Sequence, residues 1–208
     1  NFSLLCLAIS GVIGLAIGDQ FLYRALIDAG PRLTTLVITS TPALTAIIAF
    51  AVLNETLSYV DVLGMLLTMS GIAIAILTRG KKNPNKKYPR VKIGILFAFF
   101  GALGQAIGLV FAKLGMEESN PEIVNTLYQS GVTPLSATYI RMCFGGVGAA
   151  VLLLFYLLFK SSKREKNSRI NIQVFFCILA GTIFGPVLGV WLGLISIENM
   201  DTGIAATL

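Results

Sequence analysis

Ser10-Gly-Val-Ile-Gly14-Leu-Ala-Ile-Gly18-Asp19-Gln20-Phe-Leu-Tyr23 sets a small residue at every fourth place of an apolar run and then inserts a carboxylate. On a helix Ser10, Gly14 and Gly18 share one stripe, where the missing side chains let a neighbouring backbone approach closely. Such packing matters most in lipid, which removes the hydrophobic drive between helices. The stripe returns 171 residues later as Gly181, Gly185 and Gly189, extended by Gly193, and at that offset Cys6 also meets Cys177. With five candidate spans per repeat unit, an odd number, the two copies would lie upside down to each other in a bilayer. That is the layout of an inverted-repeat transporter.

Composition points the same way. Hydrophobic residues make up 55% of the chain and charged residues 12%, with a mean hydropathy of +0.82, more apolar than one soluble core needs. Apolar runs that can cross about 30 Å of hydrocarbon at about 1.5 Å per residue lie at 2–24, 33–53, 62–78, 93–112, 137–159 and 172–197, and a seventh opens near 202. None alternates with period two, as a barrel strand would. The expected fold is therefore all-α, a polytopic transmembrane helix bundle. The chain starts at Asn1 and stops within an apolar run at Leu208, which suggests an internal piece of something longer. Cys6, Cys143 and Cys177 sit in apolar runs without a pairing pattern and read as small hydrophobes. The chain has no His, the commonest metal ligand and general base, and neither a metal nor a cofactor is implied.

Charge orders the loops. The junction from Arg79 to Lys92 carries seven cations and no anion, broken by Pro and Asn, and reads as the linker between two halves, 1–80 and 93–208, joined by 81–92. Between two spans such a run is a topology signal rather than a nucleic-acid site. The turn 24–32, this junction and the loop 160–169 hold 14 of the 16 cations, whereas the opposite loops hold seven of the ten carboxylates. The basic side should be cytoplasmic. Residues 113–136 form the longest loop, with room for a short surface helix near Pro121. Arg141, close to the start of its span, is placed to snorkel. Helix interiors carry no Lys or Arg away from their ends, which favours neutral, zwitterionic or cationic substrates over phosphorylated ones.

Within 33–53, Thr34, Thr35, Thr39, Ser40 and Thr41 precede Pro42, which removes a backbone donor and releases the carbonyl of Ile38. A kink is expected, with hydroxyls to re-satisfy the backbone. Thr35, Thr39, Pro42, Ala46 and Ala49 share a face that suits either a cavity wall or tight helix packing.

The motif Gly18-Asp19-Gln-Phe-Leu-Tyr-Arg-Ala-Leu, then Gly30-Pro-Arg, then the Pro42 helix ending in Asn54-Glu55-Thr56, then Gly64 and Gly71, resembles the EamA-like branch of the drug/metabolite transporter superfamily. The resemblance implies two inverted EamA repeats, about ten spans with a central substrate path, of which this chain would hold spans three to nine. It implies a multi-pass exporter or permease of the plasma or inner membrane whose partners are a small-molecule substrate and the lipid bilayer, with no nucleic acid. Two departures stand. The family plan keeps both termini in the cytoplasm, hence the 79–92 junction outside, opposite to the charge count. An odd number of preceding spans, an external amino terminus or a departure from the charge rule would each reconcile them. Asn54 also replaces the family's usual Gly before the Glu.

Asp19 is the only carboxylate inside an expected span. Placing it there costs on the order of 3 kcal/mol, which makes an intramembrane acid a functional hypothesis by default. It could lie in the transport path or carry a proton, or it could stabilise the helix end against Arg24, Arg32 or water. Gln20 adjoins it, and Tyr23 lies one turn on, facing the same way. Gln105 and Trp191 are the other notable residues at depth, for substrate contact or for interhelical bonding and anchoring. With Thr39 and Pro42 these form the candidate substrate or coupling-ion set; the glycine stripes are packing surfaces. Glu55, at a span end, suits a helix-end role. Two other classes are open. Gly18-Asp19 faintly resembles the Gly-x-Gly-Asp of intramembrane aspartyl proteases, but position 16 is Ala and no second intramembrane Asp exists in the chain. A non-transporting assembly subunit would leave Asp19 and the repeat unexplained.

Overall fold

The computed structural model describes residues 2–55, 57–79, 90–117, 133–159, 181, 185 and 187–207. Most of the expected linker 81–92, the loop around Pro121, the basic loop 160–169 and Cys177 lie outside these residues.

Helix α1 runs Phe2–Asp28 and is α-helical except for Gly11–Gly18, which winds as a π-helix. Three glycines in those eight residues weaken the preference for the tighter turn. Ala29 and Gly30 turn the chain, Gly30 at φ 83°, a conformation only glycine adopts without strain. Pro31 then occupies the first position of α2, Pro31–Leu53, where its missing N–H costs nothing. The expected kink is there: α2 breaks into a turn at Thr39 and Ser40. The Ile38 carbonyl deprived by Pro42 accepts the Thr41 hydroxyl at 2.7 Å, and Ser40 and Thr39 donate to Val37 and Leu36 at 2.7 and 2.6 Å. Helix α3, Tyr59–Arg79, starts at a cap in which the Ser58 N–H donates to the Asp61 carboxylate at 3.0 Å. Helices α4, Val91–Glu117, and α5, Pro134–Phe159, are long and straight-through, and α6, Leu188–Asn199, and α7, Thr202–Ala205, follow.

Five of these, α1 to α5, are long and apolar enough to cross a membrane. Of the expected span 172–197 the described part is residues 181, 185 and 187 and then α6, and of the seventh the only helix described is α7, four residues long. No strand occurs among the described residues.

Helix α4 is the hub. Along it Gly115 faces Leu7, Gly108 faces Gly14, Gly104 and Gly101 face Gly18, and Gly94 faces Ala29, so α1 runs antiparallel to α4. Down α5, Arg141, Gly145 and Gly148 meet Gly11, Leu15 and Ala16, so α5 runs parallel to α1. Leu7, Ala112, Ala137, Leu194 and Ile197 pack into one buried cluster where α1, α4, α5 and α6 converge. These directions are the strict alternation that consecutive spans require, and they put Arg24, Arg32 and Lys92 at one end and Glu55 and Lys113 at the other. The outer face of α5, from Val151 to Leu158, and Leu63, Leu66, Leu67 and Ile74 of α3 are exposed apolar surface, as lipid contact demands. In a background lacking its cysteines, Tyr59→Cys should be labelled by an impermeant maleimide applied to intact cells and Lys92→Cys protected. The reverse pattern would put the basic end outside.

Candidate functional site

Between α2, α3, α4 and the residues after α7 lies an open cleft of about 560 Å³. Its polar lining is Thr35, Thr39, Thr41, Thr68, Thr207 and Gln105, set against Pro42, Ile38, Met69 and Leu109. The hydroxyls are already committed. Thr35, Thr39, Thr41, Thr68 and Thr207 donate to the carbonyls of Pro31, Leu36, Ile38, Met65 and Ile204 at 2.8, 2.6, 2.7, 2.9 and 2.6 Å. A helical Ser or Thr that back-bonds this way spends its hydrogen on its own backbone. What remains on each oxygen is acceptor capacity, so the cleft offers acceptors on an apolar wall.

Gln105 connects the cleft to the bundle interior, because its side chain also interacts with the Asp19 carboxyl. Thr39, Pro42 and Gln105 thus line one space, with Asp19 behind Gln105. The other candidates lie elsewhere. Gln20 lines a separate groove with Ile17, Phe21, Leu152, Leu153 and Tyr156, on the α1–α5 side. Tyr23 is 59% exposed, and the side chain that interacts with the Asp19 carboxyl is Gln105 instead. Trp191, on α6, is not among the residues lining the cleft. A further groove of about 460 Å³ between α2 and α3, along Ala46, Ile47, Phe50, Met65 and Leu66, has an apolar lining that suits acyl chains.

One end of the bundle is held by a polar cluster. Glu55 Oε1 lies 2.7 Å from Lys113 Nζ, with both side chains about nine-tenths buried. Lys113 also donates to the Met200 carbonyl at 3.0 Å, and Glu55 accepts from the Thr202 N–H at 2.8 Å and the Thr202 hydroxyl at 2.7 Å. Burial alone would raise the Glu55 carboxyl, but the bonds from Lys113 and Thr202 outweigh it and hold the group below its ordinary range. Asn54 makes this reach possible. It closes α2 in the left-handed conformation, φ 54° and ψ 27°, which turns the chain so that Glu55 points across to α4 and α7. Asn is, after Gly, the residue that tolerates this conformation best, so replacing the expected Gly keeps the turn.

Residues 1–77 match the EamA-like transporter family. No curated protein and no solved structure matches the chain. The EamA-like stretch covers α1, α2 and most of α3. Together with the five apolar helices it indicates an integral membrane protein, whose first 77 residues are similar to EamA-like transporters.

In the EamA-like part, the stripe of α1 is pressed against α4. A Cβ built on Gly108 would stand 2.9 Å from the Gly14 Cα, one on Gly104 3.2 Å from the Gly18 Cα, and Ser10 donates its hydroxyl to the Gly108 carbonyl. The second stripe differs. A Cβ on Gly181, Gly185, Gly189 or Gly193 meets nothing within 4 Å among the described residues. Helix α6 instead packs through Val190, Leu194 and Ile197, which share a neighbouring face about a quarter turn away.

Arg141 departs from its expected snorkelling. It is 3% exposed, and its Nη2 lies 3.7 Å from where a Gly14 side chain would begin. Sequence reasoning also missed the role of Lys113, treated as a loop charge. A Lys close to an apolar span's end and a Glu at a neighbouring span's end on the same side were the available signal.

Proposed function

We propose that this protein moves small organic metabolites or drugs across the plasma or inner membrane by alternating access, with two inverted halves meeting at α1 and α4. The observation that carries this is the pairing of an acceptor-lined cleft with a polar lock above it. Leu109 of the cleft and Lys113 of the lock are one helical turn apart, about 6 Å. The lock joins the end of the EamA-like half, Glu55, to α4 and to the start of α7. It closes the carboxylate-rich end while the cleft lies toward the basic end, the disposition of a carrier closed on one side.

Substrates that donate hydrogen bonds, neutral or cationic, fit a lining whose threonines can only accept. Asp19, reached through Gln105, is the proton-carrying group in this reading, and the division at 81–92 separates the halves. No catalytic role is proposed for any residue.

Two measurements test it. Full-length protein in liposomes should exchange labelled substrates in counterflow for at least one member of a panel of small amines and neutral metabolites. Glu55→Gln should loosen the lock, so that Leu109→Cys reacts several-fold faster with a reagent applied from the carboxylate-rich side. An unchanged rate, with no exchange across the panel, would overturn the proposal.

A further inference from the structure

We infer that Arg141 is the anchor of a second binding site, for a small monocarboxylate group, at the junction of α1, α4 and α5. The inference rests on the transport reading above but concerns a different place from the threonine-lined cleft.

The guanidinium sits about 10 Å along α5 from Pro134, well inside the helix. Its Nε and Nη1 are fully buried and have no hydrogen-bond partner. No ion pair reaches it among the described residues. An Arg is charged at any working pH, and an unpaired buried charge is costly by several kcal/mol, the more so in lipid. Such a group persists where an anion completes it.

The surroundings say what kind of anion. On α1 the guanidinium faces Gly14, whose Cβ would stand 3.7 Å from Nη2 and which itself packs on Gly108, while Gly11 lies against the Arg141 carbonyl. These glycines contribute no charge. Lys113, also buried, is engaged by Glu55, and Asp19, further down α1, interacts with Gln105. One fixed positive charge without a second is neutralised by a monoanion, whereas a phosphate dianion would leave a net charge behind. A flat carboxylate also suits a planar guanidinium better than a tetrahedral group does. The π-helical turn of α1 over Gly11–Gly18 spans this same wall, and such turns concentrate at functional sites.

Thermal unfolding of the purified full-length protein, with sodium acetate, propionate or benzoate against sodium chloride and methylphosphonate at matched ionic strength, tests the site directly. Carboxylates should raise the midpoint saturably, by about 5 °C at roughly a hundredfold excess over Kd. Arg141→Gln should abolish the rise and Arg141→Lys should keep a weakened one. If Arg141→Gln does not yield folded protein, the parent titration and Arg141→Lys still decide. Carboxylates no better than chloride in the parent, or an undiminished rise in Arg141→Gln, would overturn the inference. Exchange of amines or neutral solutes without any carboxylate response would spare the transporter reading and sink this one. Saturable carboxylate stabilisation with no exchange of any solute would do the opposite.

Discussion

Gly108→Leu is expected to abolish assembly of the bundle, measured as loss of monodisperse protein on size exclusion and of all exchange in liposomes. The first added carbon would stand 2.9 Å from the Gly14 Cα and 3.2 Å from the Ser10 carbonyl oxygen, and both neighbours are backbone. A flexible side chain could move aside; a helix axis cannot without breaking the contacts above and below. Overpacking a core costs about 1–3 kcal/mol even where side chains can yield, and here the Ser10 hydrogen bond to the Gly108 carbonyl would be lost as well. Gly14→Leu should behave alike, since its Cβ would meet the Gly108 Cα at 3.3 Å. Gly193→Leu and Leu154→Ala should be mild, the first because nothing described lies within 4 Å and the second because Leu154 is 60% exposed. Equal loss in all four variants would mean that general apolar content, not the close crossing of α1 and α4, holds the bundle.

Asp19→Asn should reduce accumulation driven by a pH gradient at least about tenfold, the size of effect expected when a coupling energy of about 1.4 kcal/mol or more is removed, while counterflow exchange continues. The side chain keeps its size and its place beside the Gln105 amide, so the packing of α1 on α4 survives and only the proton is taken away. Gln105→Leu makes the complementary case: the acid remains but loses its partner and its connection to the cleft. Full gradient-driven transport by the Asn variant would make Asp19 a structural residue, leaving coupling to another ion or to none.

Glu55 should not answer to the same pH change. Its carboxyl in the folded protein titrates below its unfolded value, so the stability it contributes is present above the ordinary carboxylate range and is lost only as pH falls through the lowered folded value. Around neutrality the Glu55 carboxylate therefore stays ionised and held by Lys113 and Thr202, and in the proposed function a response to pH in that range falls to Asp19.

Much of this was legible in the sequence because lipid imposes simple rules. Apolar length gave α1 to α5, the cation asymmetry agreed with the helix directions, and Pro42 with three preceding hydroxyls gave the break in α2 down to the orphaned carbonyl of Ile38. What sequence could not give is which helix each face meets. The stripe of α1 found α4, not a copy of itself, and the similar stripe at 181–193 has no partner among the described residues, since spacing specifies a smooth face but not its neighbour. Tyr23 does lie one α-helical turn beyond Asp19, but that spacing does not say which side of the shared face a neighbour covers: Tyr23 is left exposed, and Gln20, beside Asp19 by adjacency, lines the α1–α5 groove. Arg141 and Lys113 were judged by distance from a span's end, a one-dimensional measure that cannot tell sideways burial from snorkelling.

The π-helical segment of α1 acts as a phase setter. Residues four apart drift forward around an α-helix, whose turn holds 3.6, and backward around the wider π turn. From Ser10 through Gly14 to Gly18 the chain is wound as π-helix and drifts only slightly backward across the face of α4, and the return to α winding at Asp19 sets the acid beside Gln105. Removing one residue between Gly11 and Gly18 would let the segment relax to a plain α-helix with every apolar side chain retained. Composition and length would hardly change, and because a π segment holds about one residue more than the α-helix it replaces, Asp19 would stay near its present face; it is the same stretch wound at full length as plain α-helix that would turn the acid roughly 150° away from Gln105.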